Sequence, residues 1–226
     1  MAAFGAATAV LAGCSPGIGA PGLGGDQPSG SEDGQALPSR LDGERTLVAY
    51  FSVPETNSPD NMTQAEENST HVVDGEVLGN TQYVAQLIAA RTGADLFRIE
   101  TAEQLPLDHS ALEDLALEWQ EAGARPERRS LIPDLDQYDT VFVGYPIWWY
   151  DLPMPMHTFF DEHDFGSKTV VPFNTHGGSG LSGTVEVITG LLPETTVSQN
   201  AFTISQNDMD NAPTEVNAWL DTLTGQ

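Results

Sequence analysis

The sequence predicts an α/β fold in which five parallel strands form one doubly wound sheet with helices on both faces. Short, nearly continuous apolar runs alternate along the chain with stretches whose apolar residues recur at helical spacing. A continuous apolar run is typical of a strand that is buried on both faces. Strands that alternate with helices indicate βαβ units, whose right-handed crossovers place helices on both faces of a parallel sheet. The predicted strands are residues 46–51, 95–100, 140–144, 169–174 and 201–205.

Helices are predicted between and after these strands. In the first helix, Val84, Leu87 and Ile88 have the spacing of one helical face, and Gly93 supplies a C-terminal stop. Asp108 can cap the second helix. The prolines of the third helix fall in its first turn, where a missing N–H is tolerated. The predicted helices are residues 80–92, 108–122, 153–160, 184–192 and 213–223.

Only the last of three successive parts has the composition of a folded domain. Residues 1–14 resemble a secretory signal peptide that ends in a bacterial lipobox, Leu11-Ala12-Gly13-Cys14, which makes Cys14 the expected lipidation site. In residues 15–44, sixteen of thirty positions are Gly, Pro or Ser, which predicts a flexible linker. The folded domain is predicted over residues 45–226. We expect a membrane-anchored lipoprotein outside the cytoplasm, or a cytoplasmic protein if the lipobox is accidental.

The charge balance excludes one class of partner. The chain has 33 acidic and 8 basic residues, which gives a net charge of −25. Such a surface repels phosphates, so nucleic acid is not an expected partner. The single cysteine excludes an intrachain disulfide and a cysteine metal cage, and no histidine pair has zinc-ligand spacing, so no metal site is predicted. Membrane contact is expected only through the lipid anchor.

The first candidate site follows the first strand. In a doubly wound sheet, ligands bind outside the carboxyl ends of the strands, where the strand order reverses. Short polar side chains follow Phe51, and others open the first helix. Amide groups at a helix N-terminus bind anions, so these residues predict a phosphate site, with an ordinary helix start as the alternative. The candidates are Ser52, Thr56, Asn57, Asn80 and Thr81.

The second candidate site follows the third strand. Consecutive aromatic residues at the end of a buried strand favour stacking on a flat ring system. The alternatives are a hydrophobic lid over the core or a patch that docks a partner. The candidates are Pro146, Ile147, Trp148 and Trp149.

The third candidate site follows the fourth strand and is rich in glycine. Glycine lets the backbone approach a ligand closely, although the alternative is an ordinary flexible turn. His176 is either a donor to the ligand, a possible proton donor to a substrate, or simply solvated. The candidates are Thr175, His176, Gly177, Gly178, Ser179 and Gly180.

These loops, in this order after these strands, resemble the flavodoxin family, and most closely a bacterial branch of flavodoxin-like lipoproteins. The resemblance covers about residues 46–224 and implies the strand order 2-1-3-4-5. The motifs that carry it are Tyr50-Phe51-Ser52, Gly79-Asn80-Thr81, Asp136-Gln137-Tyr138-Asp139, residues 144–149 and residues 173–180.

The resemblance implies FMN as a non-covalent cofactor. The first candidate site would then hold the FMN phosphate, the second would flank the isoalloxazine ring, and the third would close over its other edge. One departure concerns residues 58–78, which interrupt the phosphate loop and include a predicted hairpin, residues 71–78, with Asp74-Gly75 as its turn. Pro54 also removes one amide donor, so weakened FMN binding is expected.

The resemblance also implies electron transfer or oxidoreduction with a redox partner protein or a quinone. The protein would be either an FMN-dependent oxidoreductase or an electron-transfer flavoprotein. The alternative is a flavin-free binding module that keeps the fold on a lipid anchor. A serine hydrolase is disfavoured because the sequence has no G-x-S-x-G elbow.

Overall fold

A computed structural model describes residues 45–224. The predicted signal peptide with Cys14, and the predicted linker, lie outside the described residues. The strands are β1 (Thr46–Phe51), β2 (Thr70–Val73), β3 (Glu76–Gly79), β4 (Asp95–Ile99), β5 (Thr140–Pro146), β6 (Thr169–His176), β7 (Thr196–Val197) and β8 (Phe202–Ser205). The helices are α1 (Gln64–Ser69), α2 (Asn80–Thr92), α3 (His109–Ala122), α4 (Met154–Asp161), α5 (Thr184–Leu191) and α6 (Ala212–Thr224).

The main sheet has the order β4-β1-β5-β6, and both β7 and β8 pair with the outer side of β6. Every pairing in it is parallel. This confirms the predicted doubly wound parallel sheet and its order 2-1-3-4-5, in which the fifth position holds two short strands instead of one.

Proline in β6 accounts for the split at the fifth position. The Val170 carbonyl accepts a hydrogen bond from the Ser198 amide at 2.8 Å, so it points towards the edge. Alternate residues of a strand point their backbone groups the same way, so Pro172 also faces that edge and has no N–H to donate. The ladder therefore stops after β7 and resumes where Phe173 pairs with Phe202.

The core has one layer on each face of the sheet. Along β1, Leu47 and Ala49 belong to the layer beneath α4 and α5, whereas Val48 and Tyr50 belong to the layer beneath α2 and α6. Both sets are buried, which is why the strand is a continuous apolar run in the sequence. The predicted helices on both faces are therefore confirmed.

The insertion between Ser58 and Leu78 is folded. The predicted hairpin is confirmed as β2 and β3, which pair antiparallel around Asp74 and Gly75, with φ of 52° and 83°. Positive φ at both positions is typical of a type I′ turn. The short helix α1 was not predicted, because it buries none of its residues and so shows no apolar periodicity. Its sequence signal is a capping box between Thr63 and Glu66.

The sheet brings three strand ends together. Because β1, β5 and β6 are adjacent and parallel, the loops that follow them leave the same edge. Within residues 45–224, no helix combines the length and apolar composition required to cross a bilayer.

We predict that Gly144→Ala destabilises the domain by about 1–3 kcal/mol, because a methyl group there overpacks the sheet. A Cβ at this position would lie 2.1 Å from the Phe173 ring. The control is Gly190→Ala in α5, where a Cβ meets no atom within 4 Å and should stabilise the helix by about 0.5–1 kcal/mol. Urea unfolding measures both, and equal stability of the Gly144 variant and the parent would refute the prediction.

Candidate functional site

A cleft of about 660 Å³ lies at the carboxyl ends of β1, β5 and β6. Its volume is in the usual range for small-molecule sites. The sequence-predicted residues that line it are Ser52, Asn80, Thr81, Pro146, Ile147, Trp148, Trp149, Thr175, His176, Gly177, Gly178 and Ser179. The structure therefore brings most residues of the three candidate sites to one place.

Three sequence-predicted residues do not line the cleft. Thr56 is buried, and its hydroxyl accepts a hydrogen bond from the Ser58 amide at 3.2 Å. Asn57 is exposed. Gly180 serves the shape of the third loop, because its carbonyl accepts from the buried Asn174 side chain at 3.4 Å.

One end of the cleft offers hydrogen-bond donors to an anion. Gly79, the N-cap residue of α2, makes no side-chain cap, so the amides of Asn80 and Thr81 are not bound by a capping side chain. The Ser52 hydroxyl lies beside them and accepts from the Gln82 amide at 3.3 Å. A Cβ at residue 79 would lie 2.2 Å from the Ser52 hydroxyl oxygen, so glycine is required for this approach. The buried hydroxyls of Thr81 and Thr175 are hydrogen-bonded to each other at 2.8 Å, which joins the start of α2 to the end of β6 at this end of the cleft.

Asn80 has an unused acceptor in this end of the cleft. Its side-chain nitrogen donates to the Asn68 carbonyl at 2.8 Å, whereas its Oδ1 is buried without a hydrogen-bond partner among the described residues. A buried polar atom left unpaired costs about 1–3 kcal/mol. A ligand hydroxyl that donates to Oδ1 would remove that cost, so this end fits a ligand with both acceptor and donor groups.

The other end of the cleft is an aromatic turn. The Trp148 amide donates to the Asp151 carbonyl at 3.1 Å, and the Asp151 amide donates back to Trp148 at 2.9 Å. Trp149 and Tyr150 form the tip with φ of 46° and 62°. Positive φ in bulky residues costs about 1–3 kcal/mol each and is found at functional sites.

Contacts from α3 hold this strained turn in place. The Trp149 indole N–H donates to the Glu113 carbonyl at 3.1 Å, and the Gln120 side chain donates to the Trp149 carbonyl at 3.3 Å. Trp148 packs edge-on against Phe51, with ring centroids 5.3 Å apart. Trp148 therefore anchors the turn to the core, while Trp149 and Tyr150 remain exposed at the cleft.

The third loop is organised by buried polar side chains. Thr203 donates to Asn174 Oδ1 at 2.7 Å, and Asn174 in turn donates to the Gly180 carbonyl. The Gly178 amide donates to Nδ1 of His176 at 2.8 Å. Because Nδ1 accepts, the neutral ring carries its proton on Nε2. Burial lowers the pKa of His176, and the nearby Asp208 carboxylate opposes this effect.

Sequence reasoning missed a charged cluster on the wall of the cleft. Nδ1 of His109, the first residue of α3, lies 2.9 Å from a carboxylate oxygen of Glu55, and Nε2 lies 3.5 Å from Glu113. Burial raises the pKa of Glu55, although its hydrogen bond to His109 opposes this. The same hydrogen bond raises the pKa of His109. One sequence signal could have indicated this cluster. Because α3 follows β4, and β4 is parallel to β1, the start of α3 and the loop after β1 lie at the same edge of the sheet.

Comparison with known proteins supports the family assignment. The family described as flavodoxin matches residues 45–223. The chain belongs to the flavodoxin family. No curated protein sequence matched the chain.

Solved structures of similar fold agree with this membership. A protein from Bacteroides eggerthii, provisionally described as a flavoprotein, is 28% identical, covers 81% of this chain and 99% of its own, and has a TM-score of 0.59. A flavoprotein from Lactobacillus acidophilus, solved with FMN, is 18% identical, covers 78% and 98%, and has a TM-score of 0.54. At that identity the second likeness shows the fold alone. The narrower assignment to a lipoprotein branch stays a prediction.

The insertion contributes to the site of this flavodoxin. Asn68 and Ser69, at the end of α1, line the cleft, whereas the predicted residues Thr56 and Asn57 do not. The Ser69 hydroxyl accepts from the Glu55 amide at 3.1 Å, which joins the insertion to the loop after β1. Gln206 also lines the cleft, directly after β8. Its position at the carboxyl end of the fifth strand was the signal that could have identified it.

We predict that His176 titrates below the ordinary histidine pKa of about 6.5. Protonation of Nδ1 removes the acceptor of the Gly178 amide. The NMR signals of the His176 ring and of the Gly178 amide should therefore shift over the same pH range, below a pH of about 6.5. Because folding lowers the pKa of His176, the neutral ring contributes to the stability of the folded state at pH values above the unfolded-state pKa. That contribution is lost as pH falls through the folded-state pKa. NMR titration of the His176 ring and the Gly178 amide tests this. A His176 midpoint above 6.5 would contradict it.

Proposed function

We propose that this flavodoxin binds FMN non-covalently in the cleft and transfers electrons through it. The observation that carries the proposal is the pairing of two different ends in one cleft: an uncapped helix N-terminus with hydroxyls, and an aromatic turn. FMN has a phosphate at one end and a flat ring system at the other. Family membership and the FMN in the Lactobacillus acidophilus flavoprotein support the choice of cofactor.

Neutral donors would hold the phosphate. Within residues 45–224, no Lys or Arg lines the cleft. The partial positive charge of the α2 N-terminus and the hydroxyl groups of Ser52 and Thr81 are therefore the available attraction for an anion. Asn80 Oδ1 can accept from a ribityl hydroxyl, which would satisfy the buried acceptor.

The aromatic turn would flank the ring. Trp149 is 44% exposed at the cleft, so stacking would bury indole surface that now faces solvent. Its hydrogen bond to Glu113 fixes the indole before the ligand arrives, which lowers the entropy lost on binding. Gly177, Gly178 and Ser179 of the glycine loop line the cleft, so their backbone groups would approach the opposite edge of the ring.

FMN supplies the redox chemistry when it is bound, and the chain sets the conditions for it. The aromatic turn and the glycine loop would restrict water at the ring. The Gly178 amide already donates to His176 and the Trp149 carbonyl already accepts from Gln120, so other backbone groups of these two segments would tune the balance of oxidised and reduced forms. The Glu55 and Glu113 carboxylates make the cleft unfavourable for added negative charge, which would lower the reduction potential.

We predict that the purified full chain, incubated with FMN and desalted, keeps a flavin absorbance spectrum that dithionite bleaches. Trp149→Ala should weaken FMN binding by about twofold to tenfold, because an aromatic contact contributes about 0.5–1.5 kcal/mol beyond area burial. Fluorescence titration of FMN measures the dissociation constant.

Leu131→Ala is the matched control, because Leu131 is an exposed apolar residue that does not line the cleft. It should bind FMN like the parent. A folded chain that binds no FMN would overturn the proposal and favour the flavin-free binding module, with the aromatic turn as a docking surface. Equal affinity of the Trp149 variant and the parent would refute ring stacking on Trp149.

We also propose that the domain works outside the cytoplasm, tethered through lipid on Cys14, and exchanges electrons with a redox partner protein or a quinone. The support is the sequence alone: the lipobox-like Leu11-Ala12-Gly13-Cys14 and the Gly/Pro/Ser-rich residues 15–44. A nicotinamide donor is disfavoured because that pool is cytoplasmic.

We predict that Cys14→Ser moves the protein from the membrane fraction to the soluble fraction of a bacterial host, because the residue that would carry the lipid is lost. Immunoblots of the two fractions measure this. The control is Ser15→Ala, which keeps the cysteine. Equal distribution of Cys14→Ser and the parent would refute the lipid anchor.

A further inference from the structure

Three residues from two elements form a charged cluster on one wall of the cleft. Glu55 lies in the loop after β1, and His109 and Glu113 lie one turn apart on α3. Nδ1 of His109 lies 2.9 and 3.1 Å from the two carboxylate oxygens of Glu55. A carboxylate only accepts, so Nδ1 donates to it.

The two ends of the histidine ring have different surroundings. The Glu55 side chain is 9% exposed, and its amide donates to Ser69, so the carboxylate is held in place. The His109 side chain is 47% exposed and lines the cleft. Nε2 makes only a long contact of 3.5 Å with Glu113, which leaves it available to a molecule in the cleft.

Within residues 45–224, the titratable groups that act on this ring are acidic. They are Glu55 from the loop after β1, Asp108 at the N-cap of α3 and Glu113 of α3, with Glu66 of α1 acting on Glu55. These groups raise the pKa of His109, since a negative environment favours the protonated ring. His109 therefore keeps its proton to a higher pH than an ordinary histidine, and it can give that proton to a bound molecule.

The cluster is joined to the aromatic turn. The carbonyl of Glu113 accepts the indole N–H of Trp149 at 3.1 Å. His109 and Trp149 also line the same cleft. A flavin stacked at the turn and a substrate next to it would therefore share the cleft with His109.

We propose that His109 is a catalytic proton donor in the two-electron reduction of a small quinone in this cleft, with Glu55 as its positioning residue. The inference rests on the FMN binding proposed above. It assigns the cleft to a small-molecule reductase, because a protein that passes single electrons to another protein needs no proton donor.

The reaction balances with reduced FMN as the reductant, itself reduced by a redox partner protein. Bound FMN in its anionic reduced form would supply a hydride to one quinone oxygen, which would leave negative charge on the other oxygen and oxidise the flavin. The Nε2–H bond of His109 breaks, and its proton forms the second O–H bond. The products are a hydroquinone and a neutral His109, which takes up a proton from solvent through its exposed edge.

The test compares two acceptors in stopped-flow experiments on the FMN-loaded full chain after reduction by dithionite. 1,4-Benzoquinone takes up electrons and protons, whereas ferricyanide takes up electrons alone. His109→Gln should slow reoxidation by benzoquinone about a hundredfold, a usual size for the loss of a general acid, and leave the ferricyanide rate unchanged. Measurements in about 1 M salt, where the Debye length is about 3 Å, remove the effect of the lost charge on the ferricyanide rate.

The matched control is His71→Gln, since His71 stacks on Tyr83 and does not line this cleft. It should leave both rates unchanged. An equal slowing of both acceptors by His109→Gln, or no slowing with benzoquinone, overturns the inference and leaves His109 as an ion pair between α3 and the loop after β1. A wild-type chain that retains no FMN overturns the proposed function as well, so the two failures are distinguishable.

A second measurement tests the positioning residue without FMN. NMR titration of the His109 ring in the flavin-free chain should give a pKa above about 6.5, and Glu55→Gln should lower it. In the loaded chain, the benzoquinone rate falls as pH rises through the His109 pKa, because the donor loses its proton. Glu55→Gln should move that fall to lower pH. An unchanged His109 pKa and rate profile in Glu55→Gln overturns the role of Glu55.

Discussion

The parallel pairing of β5 with β1 and β6 is the constraint on which the rest of the structure depends. Gly144 of β5 lies between Tyr50 of β1 and Phe173 of β6, and only glycine leaves room for the Phe173 ring. This packing keeps the three strands in register up to their carboxyl ends. The loop that starts at Ser52, the aromatic turn and the glycine loop all start from those ends, so the cleft exists because the sheet holds this register.

The site combines strain with support. The positive φ values of Trp149 and Tyr150 oppose their side chains' preferences, and hydrogen bonds from α3 offset that cost. The same helix presents His109 to the cleft. The proposed binding and proton transfer would thus be joined through one element, and a displacement of α3 would alter both the stacking surface and the proposed proton donor.

The insertion has an architectural role that the family pattern does not reveal. It places Asn68 and Ser69 at the cleft, and Ser69 holds the loop that carries Glu55. Interruption of the phosphate loop therefore does not leave that end of the cleft open. Continuous apolar runs revealed the long strands of the main sheet, whereas α1 escaped prediction because a short polar helix is stabilised by caps instead of a buried face.

The sequence by itself determined the fold class and the loops that form the cleft, because continuous apolar runs, glycine stops and turn residues are local signals. The order of the main strands came from the resemblance to the flavodoxin family. The sequence did not reveal the Glu55–His109–Glu113 cluster or the break in the strand ladder beside Pro172. It also did not reveal that Trp148 packs on the core while Trp149 is exposed at the cleft. These features depend on contacts between residues far apart in the chain. Such contacts are decided only when helices and strands pack, since each side chain's environment is then set by its neighbours in space.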